Sequence, residues 1–205
     1  MQFSFMPEPE VETLVDDAGG RIVYKRRLFD ERQTRVWFEQ LRDQVEWHTE
    51  RRPMYDRVVE VPRLLASFSL DDPELPEPIQ SMRAPVETFC GVTFTSAGLN
   101  FYRDRNDSVA PHGDHVEKGP EGAPVALVSL GATRRMTIRS KSKPRRILDR
   151  DLEAGSLLVM SYDSHLNYEH GIPKIRVAVG PRISIAFRIV PRDALQARGA
   201  RQQTS

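Results

Sequence analysis

The sequence has little of what marks several large classes of protein. Its 205 residues contain one cysteine, Cys90, which excludes an internal disulfide and is typical of a reducing compartment. No apolar run approaches the length of a membrane span, and residues 1–6 lack the basic start of a secretory signal. The formal net charge is only +1. We therefore expect a cytoplasmic protein without membrane association or an evident obligate protein partner, in which any nucleic-acid contact comes from local clusters.

The chain is long enough for one domain with a full hydrophobic core. A capping box at Asp30–Gln33 and apolar residues at helical spacing predict a helix over 31–45. A second helix is predicted over 79–89, ending near Gly91. Pro85 lies inside it and should kink or divide it.

Beyond Gly91 the apolar residues alternate with a period of two, which is typical of β-strands. Short strands between glycine or proline turns predict a sandwich or small barrel with helices against its outside. The polar tail 194–205 is expected to be frayed. The predicted strands cover residues 92–94, 99–102, 125–130, 136–139, 157–160 and 182–190.

The sequence His112-Gly113-Asp114 is the strongest candidate for a functional site. In an extended segment, residues i and i+2 project to the same face, so His112 and Asp114 can reach one metal ion. Gly113 allows another backbone to come close. Two imidazoles and one carboxylate can hold one face of a ferrous ion and leave other positions open, although the His-x-Asp pair alone is a weak signal.

Two histidines compete to be the third ligand, His165 and His170. His170 is followed by Gly171-Ile172-Pro173, a turn leading towards the last strand, and we prefer it. His165, in a loop predicted over 161–167, would then be a surface residue or a neighbour of the ligands.

Arg182 and Arg188 lie on one face of the last predicted strand, with Ser184 between them. They are six residues apart, which is about 20 Å along an extended strand, so only long side chains leaning together could close on one small dianion. Taken alone, they could equally be two surface arginines. Asn100 and Tyr102 could supply further donors from a second strand.

Six motifs follow one another in order between residues 61 and 190. They are LNFY at 99–102, HGD at 112–114, VSLG at 128–131, GSLLVM at 155–160, HGIPK at 170–174 and RISIAFR at 182–188. Together they resemble the AlkB family of iron(II)- and 2-oxoglutarate-dependent dioxygenases. The resemblance implies a mainly β fold with flanking helices, built on a double-stranded β-helix (jelly-roll) core with an N-terminal lid. Residues 1–205 would form a single domain, with 1–60 as an extension and part of the lid and 61–190 as the core.

The same resemblance implies roles for individual residues. His112, Asp114 and His170 would be both the catalytic residues and the ligands of Fe(II), with 2-oxoglutarate and O2 as co-substrates. Arg182 and Tyr102 would bind the distal carboxylate of 2-oxoglutarate, and Asn100 and Arg188 would lie near its chelating end. Ser184 stands where the family often has an asparagine. The implied reaction hydroxylates an N-methyl group of a nucleobase, which is then lost as formaldehyde.

The implied substrate is alkylated DNA or RNA carrying lesions of the 1-methyladenine or 3-methylcytosine type, and the damaged base must leave its stack. Positive charge is then expected around the mouth of the site. Val116 stands where related demethylases commonly carry a base-reading acid, and the acid here is Glu117. Tyr55 and Phe68 are candidates for stacking on the base. The basic clusters are Arg51, Arg52 and Arg57, the segment 139–146, and Lys25-Arg26-Arg27.

Two alternatives remain open from the sequence. Val116 and the near-neutral charge would also suit the same oxygenase chemistry on a protein or small-molecule substrate. A non-catalytic jelly-roll binding module would be indicated by a missing iron ligand, and no ligand is missing.

Overall fold

A computed structural model describes residues 10–54, 57–114, 116 and 119–191. Within these ranges the chain forms twelve strands and three helices. The strands are β1 (Val11–Asp17), β2 (Gly20–Lys25), β3 (His48–Met54), β4 (Arg57–Ser69), β5 (Ser96–Tyr102), β6 (Val109–His112), β7 (Val125–Gly131), β8 (Arg134–Ser140), β9 (Ile147–Leu152), β10 (Leu157–Met160), β11 (Tyr168–Ile172) and β12 (Arg182–Arg188). The helices are α1 (Glu31–Gln44), α2 (Glu77–Cys90) and α3 (Tyr162–Asn167).

The strands form two antiparallel sheets. The larger sheet has the order β1-β2-β10-β7-β12-β5-β4-β3, and the smaller has the order β6-β11-β8-β9. From β5 to β12 the chain passes repeatedly between the two sheets, which is the winding of a jelly roll. The predicted mainly β fold with a jelly-roll core is confirmed. The predicted extension, 1–60, contributes β1 and β2 beside β10 and places β3 beside β4.

Two apolar clusters fill the molecule, one on each face of the larger sheet. The first lies between this sheet and helices α1 and α2, and the second lies between the two sheets. Strand β12 shows how one strand serves both faces. Its Ile183, Ile185 and Phe187 pack in the helix-side cluster, whereas Ala186 packs between the sheets. The alternation predicted from the sequence is confirmed, and Arg182 lies on the inner face.

Helix α1 begins and packs as its sequence predicts. The Asp30 carboxylate accepts a hydrogen bond of 2.8 Å from the main-chain N–H of Gln33, which satisfies a donor at the helix start. Trp37, Phe38 and Leu41 are buried against the larger sheet. None of the described helices is long and apolar enough to cross a membrane.

Of the two expectations for Pro85, that it kinks or divides helix α2, division is wrong, because the helix runs unbroken from Glu77 to Cys90. Proline removes one main-chain hydrogen bond. Ile79 and Met82 before it and Val86 after it are fully buried, and this packing holds both halves in one helix. The helix ends at Gly91, whose φ of 69° is left-handed, as predicted for its exit.

The predicted strand at 92–94 is wrong, because these residues connect α2 to β5. The main-chain N–H of Phe94 donates to the Glu87 carboxylate at 2.9 Å instead of to a neighbouring strand. The Phe94 ring is fully buried. Its apolar character therefore serves core packing rather than strand pairing.

Candidate metal centre

His112, Asp114 and His170 converge at one end of the smaller sheet. Their candidate ligand atoms all lie within 4.8 Å of one another. His112 ends β6 and is the direct register partner of His170 in β11, with ring centroids 4.6 Å apart. Asp114 follows two residues after His112. The i and i+2 relation seen in the sequence therefore does bring an imidazole and a carboxylate together.

Gly113 is required by the close approach of a second segment. A Cβ atom at this position would lie 2.5 Å from the carbonyl oxygen of His165, far inside van der Waals contact. The expectation that Gly113 admits another backbone is confirmed. Any larger residue would displace either Asp114 or the segment that carries His165.

Asp114 is held as an anion with one oxygen free. Its Oδ1 accepts a hydrogen bond of 2.7 Å from Nη2 of Arg188. Burial, the largest single effect, disfavours the charged carboxylate, but the Arg188 guanidinium together with His170 and His165 more than offsets it and holds the pKa of Asp114 well below its usual range. Its buried Oδ2 has no hydrogen-bond partner in the described part of the chain. The carboxylate is therefore suited to ligate a cation through Oδ2.

Each of the two histidines of the group can offer a ring nitrogen to a metal. Burial lowers the pKa of His170 to about 3, so this ring is uncharged at neutral pH. Nδ1 of His112 lies 2.9 Å from the carbonyl oxygen of Ala110. Because a carbonyl only accepts, Nδ1 carries the proton and Nε2 keeps its lone pair for a metal.

His165 is not part of this group, but it is not a surface residue either. The segment predicted as a loop forms helix α3, which begins after the Ser161 cap, and the His165 side chain is fully buried. The main-chain N–H of Asp114 donates to Nδ1 of His165 at 3.3 Å. The surface alternative is therefore wrong, and the residue is a neighbour of the ligands.

Arg182 lies at the other end of β12, within the space between the sheets. It is 1% exposed, and its Nη2 donates to Ser129 Oγ at 2.9 Å. Its Nε and Nη1 have no hydrogen-bond partner among the described residues. Burial lowers the pKa of Arg182 to about 10, although the group remains charged at neutral pH. A buried cation of this kind is suited to receive an anion.

Tyr102 and Asn100 face the same interior from the neighbouring strand β5. Tyr102 pairs in register with Arg182, and its ring centroid lies 5.3 Å from the guanidinium carbon. Asn100 pairs with the buried Ser184 and accepts a 2.7 Å hydrogen bond from Nε of Arg63. The five residues expected to bind the cosubstrate therefore lie along one face of the larger sheet. They extend from Arg182 at one end of β12 to Arg188 at the other, which lies beside the metal centre.

Arg63 and Arg134 border this face and were missed by the sequence analysis. Arg63 contacts Asn100 from β4, where its strand had not been predicted. Arg134 is 1% exposed and donates to the main-chain oxygens of Asp104, Asp107 and Pro173. The sequence feature that could have identified Arg134 is its position two residues before the strand predicted over 136–139.

The substrate candidates fall in several places. Phe68 packs against the helix-side cluster and pairs with Ala97 of that same cluster, so it faces away from the metal centre. The physical reason is strand alternation, since Leu64, Ala66 and Phe68 share one face of β4.

The other substrate candidates are placed as follows. Val116 is buried in the cluster between the sheets. Arg51 is exposed on β3, Arg52 and Arg57 lie in the paired ends of β3 and β4, and Tyr55 and Glu117 lie outside the described residues.

The basic segment between β8 and β9 borders the metal centre. Residues 141–146 are all exposed, and Nζ of Lys141 donates to the carbonyl oxygen of His165 at 3.0 Å. The other described basic run is engaged elsewhere, because Lys25 pairs with Glu10 and Arg26 pairs with Glu153. Segment 141–146 is thus a basic cluster that lies beside the site and is exposed to solvent, and its Arg146 also pairs with Asp17.

Comparison with known proteins agrees with this geometry. The chain belongs to the 2OG-Fe(II) oxygenase superfamily, whose family model matches residues 73–188. Membership implies Fe(II), 2-oxoglutarate and O2. Within the superfamily, the resemblance to the AlkB family is confirmed by the relatives described next.

Human DNA oxidative demethylase ALKBH2 is 31% identical over 117 residues, covering 54% of this chain and 45% of that protein. Human alpha-ketoglutarate-dependent dioxygenase alkB homolog 3 is 29% identical over 218 residues, covering 91% and 75%. The solved structure of OsALKBH1 shares the fold, with a TM-score of 0.61 at 16% identity, covering 87% of this chain and all of that one. The chain spans less than half the length of the human and cattle ALKBH2 relatives.

Proposed function

We propose that this chain is an iron(II)- and 2-oxoglutarate-dependent dioxygenase that demethylates N-alkylated nucleobases of the 1-methyladenine or 3-methylcytosine type in DNA or RNA. The observation that carries the proposal is that one strand, β12, connects an open metal centre at one end to a buried, only partly hydrogen-bonded guanidinium at the other. Arg188 holds the ligand Asp114, and Arg182, at the other end of β12, presents two nitrogen atoms without partners in the described chain. Relatives named as oxidative demethylases support the same activity.

The donor set of the metal centre fits iron(II). Two imidazoles and the Oδ2 atom of Asp114 can occupy one face of the ion and leave the remaining positions open. Bound there with 2-oxoglutarate and O2, the iron would supply the oxidising chemistry that hydroxylates an N-methyl group and yields succinate, carbon dioxide and, after loss of the hydroxymethyl group, formaldehyde.

Arg182 and the metal centre lie towards opposite ends of one inner face between the sheets, and a dicarboxylate would reach from the guanidinium towards the metal. Arg182 would bind the distal carboxylate, since a guanidinium and a carboxylate can form two parallel hydrogen bonds. Tyr102, in contact with the guanidinium, would assist. Asn100, Ser184 and Arg188 lie on the same face towards the metal centre and would line the chelating end.

The proposed nucleic-acid substrate requires phosphate contacts near the mouth of the site, because a base must be presented from its strand to the metal. Segment 141–146 carries Lys141, Lys143, Arg145 and Arg146, all exposed. Lys141 lies against the main chain of His165 and thereby ties the segment to the metal centre. This placement supports contact with the backbone of a single strand.

The proposal is tested by incubating methylated DNA and RNA oligonucleotides side by side with the protein, Fe(II) and 2-oxoglutarate. Loss of the methyl group and release of succinate are measured separately. We expect both with the wild-type chain and neither with His112→Ala, which removes a metal ligand. Val36→Ala, on the exposed face of α1, should behave as wild type.

Methylation that stays intact in the wild-type reaction would exclude the proposed substrate. Succinate release in the same reaction would then retain the oxygenase chemistry and exclude a non-catalytic binding module.

Val116 favours a second candidate, the same oxygenase chemistry on a protein or small molecule. The position at which a base-reading acid is expected holds a valine that is buried in the core between the sheets, so it offers no polar contact to a base. Affinity for a methylated single strand that weakens steeply with salt would count against this candidate. Succinate release that responds to no methylated oligonucleotide would favour it.

A further inference from the structure

His165 contacts the metal-binding loop through both its side chain and its main chain. Its Nδ1 accepts a hydrogen bond from the main-chain N–H of Asp114 at 3.3 Å, and its carbonyl oxygen lies 2.5 Å from where a Cβ on residue 113 would be. Lys141 Nζ donates to this same carbonyl at 3.0 Å. The residue therefore fixes the Gly113-Asp114 peptide from one side, while Arg188 fixes the Asp114 carboxylate from the other.

The imidazole of His165 has chemistry that a packing residue would not need. Because Nδ1 accepts from a main-chain N–H, the ring proton resides on Nε2. Nε2 is buried and has no partner in the described part of the protein. Burying an unpaired donor costs free energy, and an apolar side chain would avoid that cost.

The ring also lies close to the other ligands. Its centroid is 5.8 Å from that of His170 in an edge-on arrangement, and its Nδ1 is 3.6 Å from Oδ2 of Asp114. It therefore borders the oxygen atom that is left free for a metal. It is not in the group whose ligand atoms lie within 4.8 Å of one another.

We propose that His165 is a positioning residue of the metal centre, which acts through its hydrogen bond to the main chain of Asp114 and sets the direction of the Oδ2 atom. This inference rests on the proposed function, since it assumes that His112, Asp114 and His170 bind a divalent metal. It assigns to His165 a role outside the set of ligands. Residues that orient metal ligands commonly affect affinity by 10- to 100-fold.

The test measures metal affinity directly, with Co(II) as the probe, by visible absorption and by calorimetry on the metal-free full chain. His165→Phe keeps a ring but removes both nitrogen atoms, and we expect it to weaken Co(II) binding by 10- to 100-fold. His165→Gln keeps a side-chain acceptor and donor, and should bind within about threefold of wild type. His48→Phe makes the same change at the exposed His48 on β3 and should leave affinity unchanged.

The thermal midpoint of each metal-free variant separates positioning from folding. Should His165→Phe fail to fold, His165→Leu carries the same prediction with less volume to accommodate. An apolar variant that folds and binds Co(II) within twofold of wild type overturns the inference, as does a glutamine variant as weak as the apolar one. Wild-type protein that binds no Co(II) would instead contradict the proposed metal centre itself.

Discussion

Burying the charged side chain of Arg182 costs free energy of folding before any ligand binds. Its guanidinium is buried, hydrogen-bonded to Ser129 through a single nitrogen, and lies against the Tyr102 ring. No ion pair with a carboxylate is found for it within the described residues. A buried charge of this kind stabilises a protein less than an apolar residue of similar volume. Its retention is therefore better explained by ligand binding than by folding.

We expect Arg182→Met to separate stability from cosubstrate binding. Removing the unpaired cation should leave the metal-free protein equally stable or more stable, by up to about 2 kcal/mol in the free energy of unfolding. The same change should abolish 2-oxoglutarate binding, because methionine cannot pair with a carboxylate. Urea unfolding gives the first quantity, and calorimetry with 2-oxoglutarate gives the second.

Arg134→Met provides the matched control for this prediction. Arg134 is equally buried, but it donates to the main-chain oxygens of Asp104, Asp107 and Pro173. Its loss leaves these three acceptors without their donor and should destabilise the protein by about 2 kcal/mol or more. If both variants lose stability alike, Arg182 stabilises the metal-free protein and its burial is not explained by ligand binding alone.

At the scale of elements, the turn between β9 and β10 joins the sheets to the start of α1. Gly155 in this turn has a φ of 79°, and its carbonyl accepts the N–H groups of Leu28 and Phe29. A Cβ at this position would lie 2.3 Å from the carbonyl oxygen of Phe29. Both the backbone conformation and the close contact therefore demand glycine here.

We expect Gly155→Ala to destabilise the protein more than Gly122→Ala. Gly122 has the same φ of 79°, but a Cβ there would meet nothing within 4 Å. The Gly122 variant should therefore lose only the backbone term, about 1 kcal/mol, while the Gly155 variant adds the clash and should lose at least about 3 kcal/mol. Thermal or urea unfolding measures the difference, and equal losses would show that the Phe29 segment moves away freely.

The elements that the sequence predicted are those with a plain apolar pattern. Strands β7, β10 and β12 were found because most of their residues are buried. Strand β9, with the sequence ILDRDL, lies at a sheet edge and carries three charges, so it gave no such signal. Strand β11 contains a ligand of the candidate site within five residues, YEHGI. Edge strands and strands that line a site have too few apolar residues to show the period.

The same limit applies to the candidate site. The spacing of His112 and Asp114 predicted their shared face because the relation is local to an extended segment. Other features of the site depend on strand register between distant segments. One is that His170, and not His165, lies with His112 and Asp114 in the group of candidate metal ligands. Another is the hydrogen bond from Arg63 to Asn100. Such contacts are set by tertiary packing and are not visible in a single sequence without a related family.

At the scale of the whole molecule, charge is nearly balanced but unevenly placed. The net charge is +1, and many of the basic side chains are in ion pairs, as Arg139 is with Glu169. Segment 141–146 has four exposed cationic residues within six positions beside the metal centre, and of these Arg146 pairs with Asp17. A neutral molecule can therefore present a local positive surface to a nucleic-acid strand.

We expect the double substitution Lys143→Ala/Arg145→Ala to weaken binding to a methylated single strand and to reduce its dependence on salt. Each lost phosphate contact should lower the slope of log K against log[salt] by about 0.7, hence by about 1.4 for two. Arg32→Ala/Arg35→Ala is the matched control, because it removes two exposed cations from α1, on the other side of the larger sheet. Fluorescence anisotropy over a range of salt concentrations measures both slopes. If the two double variants bind alike, the positive surface at 141–146 does not contact the strand, and the substrate must approach the metal centre from another side.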